Sequence, residues 1–346
     1  IVFDQDAAGP GGTDMLSLLI LLQAPDVQVL GVTVVTGDAW RDEEVQHALR
    51  LLELVGRSDI PVVPGAAFPL VRSQKWTEQW ESLYGKVDYK GAWNPRGHGP
   101  YEIPSMPEGN PSTKAANEDA AYFLIRTVHE HPHEITIYEG GPMTNLALAL
   151  AIDPHFAELA QGLVFMGGSI DPKSDDPEFA TNPRREFNLW FDPEAAHIVL
   201  RARWAFITCT SVDVSLETKF SDAMFEQIAK VQTPAAQYIA RFSKPDHSYM
   251  WDELAAAAFI DSSYITNIKK FYMDVNLDRG ANYGDTIAWG DREKPADFEM
   301  QPVNVQLDVD MKKFGDFFVK LMTSPTPGAR NPLMLKSPAE GGPPAH

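Results

Sequence analysis

Three carboxylates lie around one glycine-rich segment near the start of the chain. The first apolar run ends in FDQDAAGPGGTDMLSLLILL, so Asp4, Asp6 and Asp14 flank a turn between a predicted strand and a predicted helix. A glycine-rich turn before a helix usually binds phosphate through its backbone N–H groups. Crowded carboxylates repel one another unless they are protonated or hold a metal ion, which favours a cation site. The structural alternative is that Thr13 or Asp14 only caps the helix, with the other carboxylates solvated.

Further polar residues follow other predicted strands. Asp38 comes after the apolar run GVTVV, and the turn YEGGPM leads into a helix that begins near Thr144. A later stretch contains Asn182, Glu186 and Asn188 ahead of another helix. Main-chain carbonyls in a Gly-Pro turn are good ligands for a hard cation, and Asn and Glu side chains can bind vicinal hydroxyls. Thr144 taken alone is more simply explained as a helix cap.

A helix of small residues late in the chain carries another acidic group at its start. In YMWDELAAAAF, Trp251 and Asp252 stand at the beginning of the helix. A capping Asp beside a packed Trp would account for this pair as well as a ligand-binding role would. The role of the two residues therefore depends on what the fold places around them.

The elements that must position these residues alternate along the chain. Short β-branched runs such as EITIYEG and GLVFMGG are separated by longer helical patterns such as TNLALALAI. This alternation predicts an α/β fold with a mainly parallel central sheet and helices on both faces, an open Rossmann-like sheet. In such a sheet the ligand binds outside the carboxyl ends of the strands, so the residues that follow each strand are the candidates.

The pattern predicts a single catalytic domain over residues 1–324, since no linker divides it. Residues 70–112 are rich in Trp, Tyr, Gly and Pro and show little periodicity, which predicts a long ordered loop or lid. Its aromatic residues, among them Trp80 and Trp93, either close over a ligand or simply pack. The composition of residues 325–346 predicts an extended tail that lies on a surface or on a partner subunit.

Composition limits the classes of partner. The chain has 346 residues, and 29 Lys and Arg against 48 Asp and Glu give a net charge of −19. This charge would repel a phosphate backbone or an anionic membrane, so no nucleic-acid and no membrane partner is expected. The single cysteine, Cys209, is expected to be a small buried side chain. Because the chain opens on Ile1 inside a strand-like run, we expect that an upstream segment was removed, and the compartment stays open between cytoplasmic and exported.

The set of motifs and their order resembles the inosine-uridine nucleoside hydrolase family over nearly the whole chain. The matching segments are the Asp-rich opening, GVTVVTGD, GPMTNLALAL, FMGGSI, EFNLWFDPEAA and WDELAAAAF. The opening and the EFN…DPEAA segment are fairly specific, whereas MGG alone is weak. The resemblance implies a calcium-dependent hydrolase that cleaves nucleosides into free base and ribose, working as a homo-oligomer.

The resemblance also implies a ligand set for one calcium ion at the bottom of the pocket. The implied ligands are Asp4, Asp14, the main-chain carbonyl of Thr144, and Asp252. Because Asp4 would then touch both the ion and its water, we predict Asp4 as the general base. The cation would also orient the sugar diol and so position the substrate.

The substrate-binding residues implied by the resemblance are Asp6, Thr13, Asp38, Asn182, Glu186, Asn188 and Trp251. Glu186 and Asn188 would bind the ribose hydroxyls, with Asn182 and Asp38 as neighbours. Trp251 stands where purine-preferring relatives carry Trp, which predicts stacking on a purine base.

The opening motif departs from the family pattern. Residues are inserted between Asp6 and Asp14, and Thr13 replaces an acidic residue expected to bind a sugar hydroxyl. A Thr hydroxyl can form the hydrogen bond but brings no negative charge, so a weaker interaction on the 2′ side of the sugar is expected.

Two other classes of protein remain as alternatives. The FDQD segment is similar to the Asp-x-Asp strand end of haloacid dehalogenase-type phosphatases, although Ala8 stands where Thr or Val is expected. A non-catalytic nucleoside or sugar binder that retained the pocket is the second alternative, and Thr13 makes it credible. Phosphate release would identify the first, and ligand binding without base release the second.

Overall fold

The structure is a computed structural model that describes residues 1–95, 98–245, 248–296 and 300–333. The nine strands within these residues are β1 Val2–Gln5, β2 Gly31–Val34, β3 Val62–Pro64, β4 Thr136–Glu139, β5 Gly162–Met166, β6 Ile207–Thr210, β7 Ile265–Val275, β8 Thr286–Trp289 and β9 Pro302–Val309. They form one sheet in the order β3-β2-β1-β4-β5-β6-β9-β7-β8.

Most of this sheet is parallel. The strands from β3 to β6 and on to β9 pair in parallel, whereas β7 pairs antiparallel with both β8 and β9. The predicted α/β fold with a mainly parallel sheet is therefore confirmed. The antiparallel edge was not predicted, because β7 is partly exposed and lacks the continuous apolar run of a buried strand.

The described residues also form fourteen α-helices, with the bounds α1 Thr13–Gln23, α2 Arg41–Val55, α3 Gln74–Tyr84, α4 Ala120–Glu130, α5 Thr144–Ile152, α6 Phe156–Leu159, α7 Pro177–Thr181, α8 Phe187–Phe191, α9 Pro193–Leu200, α10 Val212–Ser215, α11 Asp222–Ala229, α12 Pro234–Phe242, α13 Trp251–Ile260 and α14 Met311–Thr323. None of these helices combines the length and the apolar character that crossing a membrane requires.

Two large clusters of buried side chains cover the two faces of the sheet. Alternate residues of β4 point into different clusters: Tyr138 belongs to the first and Ile137 to the second. Because successive side chains of a strand point to opposite faces, the clusters lie on opposite sides of the sheet. Helices α1, α2, α13 and α14 supply the first cluster, and α4, α5 and α9 supply the second, which contains the buried Cys209.

Helices α1 and α13 pack against each other and begin at the same edge of the sheet. Helix α1 follows β1 and is buried along nearly its whole length, from Asp14 to Gln23. Residues 255–258 of α13 are all alanine and buried, which lets the two helix backbones approach closely. The acidic first turns of the two helices are thereby brought side by side.

The segment 70–112 contains more structure than a loop. Its residues 74–84 form α3, and Trp80 and Trp93 are buried in a third cluster with Trp40 and Trp190. These tryptophans therefore pack within the fold, because the aromatic side chains find one another as a small core.

The described part of the tail lies against α2. The backbone N–H of Arg330 donates to the carbonyl of Gly56 at 2.7 Å, and Arg57 Nη1 donates to the carbonyl of Pro327 at 3.3 Å. The tail thus runs along the end of α2 up to residue 333, and residues 334–346 lie outside the described residues.

Candidate active site

A cavity of about 360 Å³ opens at the carboxyl ends of the parallel strands. Its floor combines the residue that follows β1, Asp6, the glycine that follows β4, Gly140, and the first turns of α1 and α13. Its polar lining consists of Asp6, Thr13, Asp14, Asp38, Glu178, Glu186, Asn188, Asp252 and Glu253, with Tyr89, Lys244, Ser248 and Tyr249. The edge of the sheet that was predicted to bind a ligand therefore has a pocket lined by polar and acidic side chains.

The carboxylates on the cavity floor are buried and crowded. Burial, together with the charges of Asp38 and Asp14, raises the pKa of Asp6 well above its usual range. Burial and the charges of Asp38, Asp252 and Glu253 raise the pKa of Asp14 in the same way. Burial, followed by the charge of Asp6, also raises the pKa of Asp252 well above its usual range. Like charges gathered in one buried place are costly unless a proton or a cation offsets them.

The structure does not place Asp4 in the cavity lining. Asp4 lies within β1, where it pairs in register with Thr33 and Glu139, and its Oδ1 accepts a hydrogen bond from Asn145 Nδ2 at 3.0 Å. Burial raises its pKa to about 7. Asp6, two residues further along the chain, stands beyond the end of β1 and lines the cavity.

Two other predicted residues also lie outside the lining. The Thr144 hydroxyl donates to Asp192 Oδ2 at 2.7 Å, and Thr144 is the first residue of α5. Asn182 follows α7, where its amide contacts Arg185 and Asp285. The remaining predicted site residues all line the cavity.

Glu186 and Asn188 occupy one wall and are held by the backbone. The Glu186 carboxylate accepts hydrogen bonds from the backbone N–H groups of Gly168, Asn188 and Leu189 at 2.8–3.0 Å. The Asn188 Nδ2 group donates to the carbonyl of Gly140 at 2.8 Å, which ties this wall to the turn after β4. Both side chains are therefore fixed before any ligand binds, as positioned polar groups in a binding site should be.

Thr13 has a partner that the sequence pattern did not predict. Its hydroxyl donates to Glu253 Oε2 and accepts a 3.1 Å hydrogen bond from the backbone N–H of Asp252. Glu253 is buried and lines the cavity, and burial raises its pKa to about 8. A carboxyl group is thus present beside Thr13, supplied by the neighbouring helix instead of by residue 13 itself.

Aromatic rings form another wall of the cavity. The ring of Trp251 lies 5.7 Å from Phe179 and 5.1 Å from Tyr249. Tyr89 packs 5.0 Å from Phe187 and is hydrogen-bonded to Asp38, and burial and the Asp38 charge raise its pKa. Tyr89 belongs to the segment 70–112, so this segment does reach the cavity, although through a residue that the sequence pattern did not single out.

The donor set of the floor fits a hard cation. A Cβ atom added to Gly140 would lie 2.7 Å from Asp252 Oδ1, and one added to Gly141 would lie 2.8 Å from Asp6 Oδ1. The two carboxylates therefore face the same glycine turn, and Asp252 Oδ1 is buried without a hydrogen-bond partner. Within the described ranges, no three acidic, His or Cys side chains already stand at metal-binding spacing. Oxygen donors with unrelieved charge are nevertheless the set that Ca²⁺ or Mg²⁺ prefers, so the residues fit such an ion.

The protein thus has an α/β fold, with a cavity at the strand ends that combines an acidic floor and an aromatic wall. Comparison with known proteins identifies the family that shares this fold. A family model for the inosine-uridine preferring nucleoside hydrolase matches residues 1–316. Uridine nucleosidase 1 from Arabidopsis thaliana is 32% identical over 222 residues, 64% of this chain and 59% of that protein. The pyrimidine-specific ribonucleoside hydrolase RihA of Shewanella oneidensis is 31% identical over 240 residues, 69% of this chain and 67% of that protein.

A solved structure has the same fold as this chain. The purine-preferring ribonucleoside hydrolase from Gardnerella vaginalis superposes with a TM-score of 0.73 at 22% identity, covering 93% of this chain and 97% of the other. The match of the family model over most of the chain shows that this protein belongs to the inosine-uridine preferring nucleoside hydrolase family, as the motifs indicated. It is accordingly an enzyme that cleaves the N-glycosidic bond of nucleosides, and the phosphatase alternative is set aside.

Proposed function

We propose that this enzyme hydrolyses ribonucleosides to free base and ribose, and that it prefers purine nucleosides to pyrimidine nucleosides. We also propose that Asp6, Asp14 and Asp252 hold a calcium ion. The observation that carries the proposal is the crowding of these buried carboxylates around one turn at the floor of the cavity. Asp4 and Thr144, the other implied ligands, are left out of the proposed set because neither lines the cavity.

A bound calcium ion would supply a polarised water molecule and offset the repulsion between the carboxylates. The protein itself must accept a proton from the water molecule that attacks the sugar. Asp6 is our candidate for this role in place of Asp4, since it lines the cavity. The backbone N–H of Asp38 donates to Asp6 Oδ2 at 2.9 Å, which holds the carboxyl group while Oδ1 faces the turn at Gly141.

Cleavage passes through a sugar with oxocarbenium character, so the sugar must be positioned and its positive charge stabilised. Glu186 and Asn188 are suited to bind the hydroxyls, since a carboxylate and an amide oxygen both accept hydrogen bonds. Asp38 and the Thr13–Glu253 pair line the same cavity and can complete the contacts to the diol. The buried acidic lining also stabilises positive charge on the sugar.

The aromatic wall supports a site for the base. Trp251, flanked by Phe179 and Tyr249, offers a face on which a base can stack, and a purine presents the larger ring system. The two relatives named at 31–32% identity are a uridine nucleosidase and a pyrimidine-specific hydrolase, so the proposed purine preference rests on the aromatic wall of this chain alone. Assembly as a homo-oligomer stays a prediction from the family resemblance.

A panel of nucleosides tests the proposal. The protein is incubated with inosine, adenosine, guanosine, uridine and cytidine in the presence of calcium, and free base and reducing sugar are measured. We expect both products, with kcat/KM about two- to tenfold higher for the best purine nucleoside than for uridine, since one stacked ring is worth about 0.5–1.5 kcal/mol. Faster cleavage of uridine would contradict the purine preference, and binding without any product would contradict hydrolysis and favour a binder.

A further inference from the structure

Glu178 is a carboxyl group of the cavity that the steps above leave without a role. Helix α7 carries it next to Phe179, whose ring packs 5.7 Å from Trp251. Glu178 also lines the cavity itself. It therefore stands beside the aromatic wall, on the side where the nucleobase is proposed to stack, and the inference below rests on the proposed function.

The other carboxyl groups of the cavity are already engaged. Asp6, Asp14 and Asp252 crowd together on the floor, and Glu186 accepts three backbone hydrogen bonds. Glu253 accepts the Thr13 hydroxyl. Among the described residues, no hydrogen bond reaches the Glu178 carboxyl group, whereas its backbone N–H donates to Asp176 Oδ1 at 3.1 Å. That carboxyl group is thus available to a ligand.

Departure of a nucleobase requires a proton, because the anion of an unprotonated base is a poor leaving group. Stacking on Trp251 positions the base but transfers no proton. A carboxylic acid beside the stacked ring can deliver one to a ring nitrogen or an exocyclic oxygen.

We propose that Glu178 is the general acid that protonates the leaving nucleobase. As the C1′–N bond breaks, its electron pair stays with the base, and the base takes the proton of the Glu178 carboxyl group. Water adds its oxygen to C1′ and gives its proton to Asp6. Solvent then returns a proton to Glu178 and removes one from Asp6, so the net reaction is nucleoside plus water to base plus ribose.

The charged surroundings of Glu178 suit a group that must hold a proton near neutral pH. Burial, followed by the negative charges of Asp176, Asp88, Glu186 and Asp38, raises its pKa to about 7. These carboxylates come from its own helix, from the segment 70–112, from the start of α8 and from the loop after β2. The guanidinium of Arg185 also interacts electrostatically with Glu178, and its Nε atom lies 3.7 Å from Asp285 Oδ1.

A substrate whose leaving group needs no proton distinguishes acid catalysis by Glu178 from a structural role of this residue. The full-length protein with calcium is assayed on inosine and on 4-nitrophenyl β-D-riboside, whose phenolate leaves without a proton. We expect Glu178→Gln to lower kcat for inosine about a hundredfold or more, while kcat for the nitrophenyl riboside stays within a few-fold of wild type. Glu178→Asp, which retains a carboxylic acid, should recover part of the inosine activity.

The pH profile provides a second readout on the unmodified protein. Because the acid must be protonated, kcat for inosine should fall as the pH rises above about 7, and kcat for the nitrophenyl riboside should not show this fall. Asp175→Asn removes a charge from an exposed position just before α7 and should leave kcat for both substrates unchanged. Circular dichroism and thermal melting confirm that each variant is folded.

Each outcome decides between the proposals. If the wild type cleaves both substrates and Glu178→Gln lowers both equally, or neither, then Glu178 is not the acid, and the hydrolase proposal stands. If the wild type cleaves neither substrate, the hydrolase proposal fails and the role of Glu178 fails with it.

Discussion

At the scale of single residues, Asp4 and Asp6 are two positions apart yet lie in different surroundings. Asp4 is inside the sheet, bonded to Asn145, whereas Asp6 is beyond the strand end and lines the cavity. The end of β1 at Gln5 falls between the two residues, so Asp4 stays within the sheet while Asp6 belongs to the turn that follows. The difference in depth decides which carboxyl group can reach a water molecule beside the sugar.

Replacing each aspartate by asparagine tests this assignment. Asp6→Asn should lower kcat for inosine about a hundredfold or more, because an amide cannot accept the proton of the water. Asp4→Asn should keep kcat within about tenfold of wild type, since an amide oxygen can still accept the hydrogen bond from Asn145. Base release and melting temperature are measured for both variants. Loss of activity in Asp4→Asn, with activity retained in Asp6→Asn, would return the role of base to Asp4.

The second prediction concerns the interaction between the side chains of Thr13 and Glu253. Thr13→Asp restores an acidic residue at position 13 but sets it against Glu253, so the free energy of unfolding should fall. Glu253→Gln in the same protein should recover part of the loss, with a coupling of about 0.5–3 kcal/mol between the two sites. Urea unfolding of the two single variants and the double variant measures the coupling. Independent, additive effects would show that the two side chains do not interact.

At the scale of elements, Glu53 joins helix α2 to the end of the segment 70–112 and the residue beyond it. Its Oε1 accepts hydrogen bonds from the backbone and side chains of Ser112 and Thr113, and Arg50 donates to Oε2 at 2.9 Å. Burial opposes ionisation of Glu53, but these hydrogen bonds outweigh it and lower the pKa to about 2. One ionised side chain therefore fixes where this segment returns to the main fold.

The lowered pKa of Glu53 gives its contribution to stability a pH dependence. Because the folded pKa lies below the unfolded value of about 4.5, the contribution is complete above pH 4.5 and is lost as the pH falls towards 2. We expect Glu53→Gln to be less stable than wild type at pH 7, and its unfolding free energy to change less between pH 5 and pH 3. Glu78→Gln, at an exposed position on α3, serves as the control. Parallel pH curves for Glu53→Gln and wild type would contradict the prediction.

At the scale of the whole molecule, acidic charge is both spread over the chain and concentrated at one place. The net charge is −19, and carboxylates from the turn after β1, the loop after β2, α1 and α13 meet at the cavity floor. A folded state that gathers these groups should be stabilised by any cation that binds it and not the unfolded chain.

Metal removal tests this view apart from catalysis. Treatment with a chelator should lower the melting temperature and abolish base release, and added calcium should restore both. At a calcium concentration one hundred times the dissociation constant, the stabilisation is about 2.7 kcal/mol. Asp252→Asn should weaken the calcium-dependent shift, because it removes one proposed ligand. A melting temperature that does not respond to chelator or calcium would count against the ion.

Local patterns were sufficient to predict the family, the parallel part of the sheet and most of the residues that line the cavity. Strands such as β4 and β5 were predicted because each is a short apolar run between helical patterns. Asp14, Glu186, Asn188 and Asp252 line the cavity, because side chains that follow parallel strands meet at one edge, and their roles stay predictions. The half-exposed strand β7 and helix α3 inside the segment 70–112 were not predicted, since neither has a strong local signature.

The sequence by itself determined the class of protein and the edge of the sheet at which the cavity lies, because alternation of elements and the order of motifs are properties of the chain. Only the tertiary structure decided that Asp6 and not Asp4 faces the cavity, that Glu253 accompanies Thr13, and that Tyr89 and Glu178 belong to the lining. These facts depend on how deep a side chain lies and on what a distant segment places against it. Neither quantity is encoded in spacing along the chain.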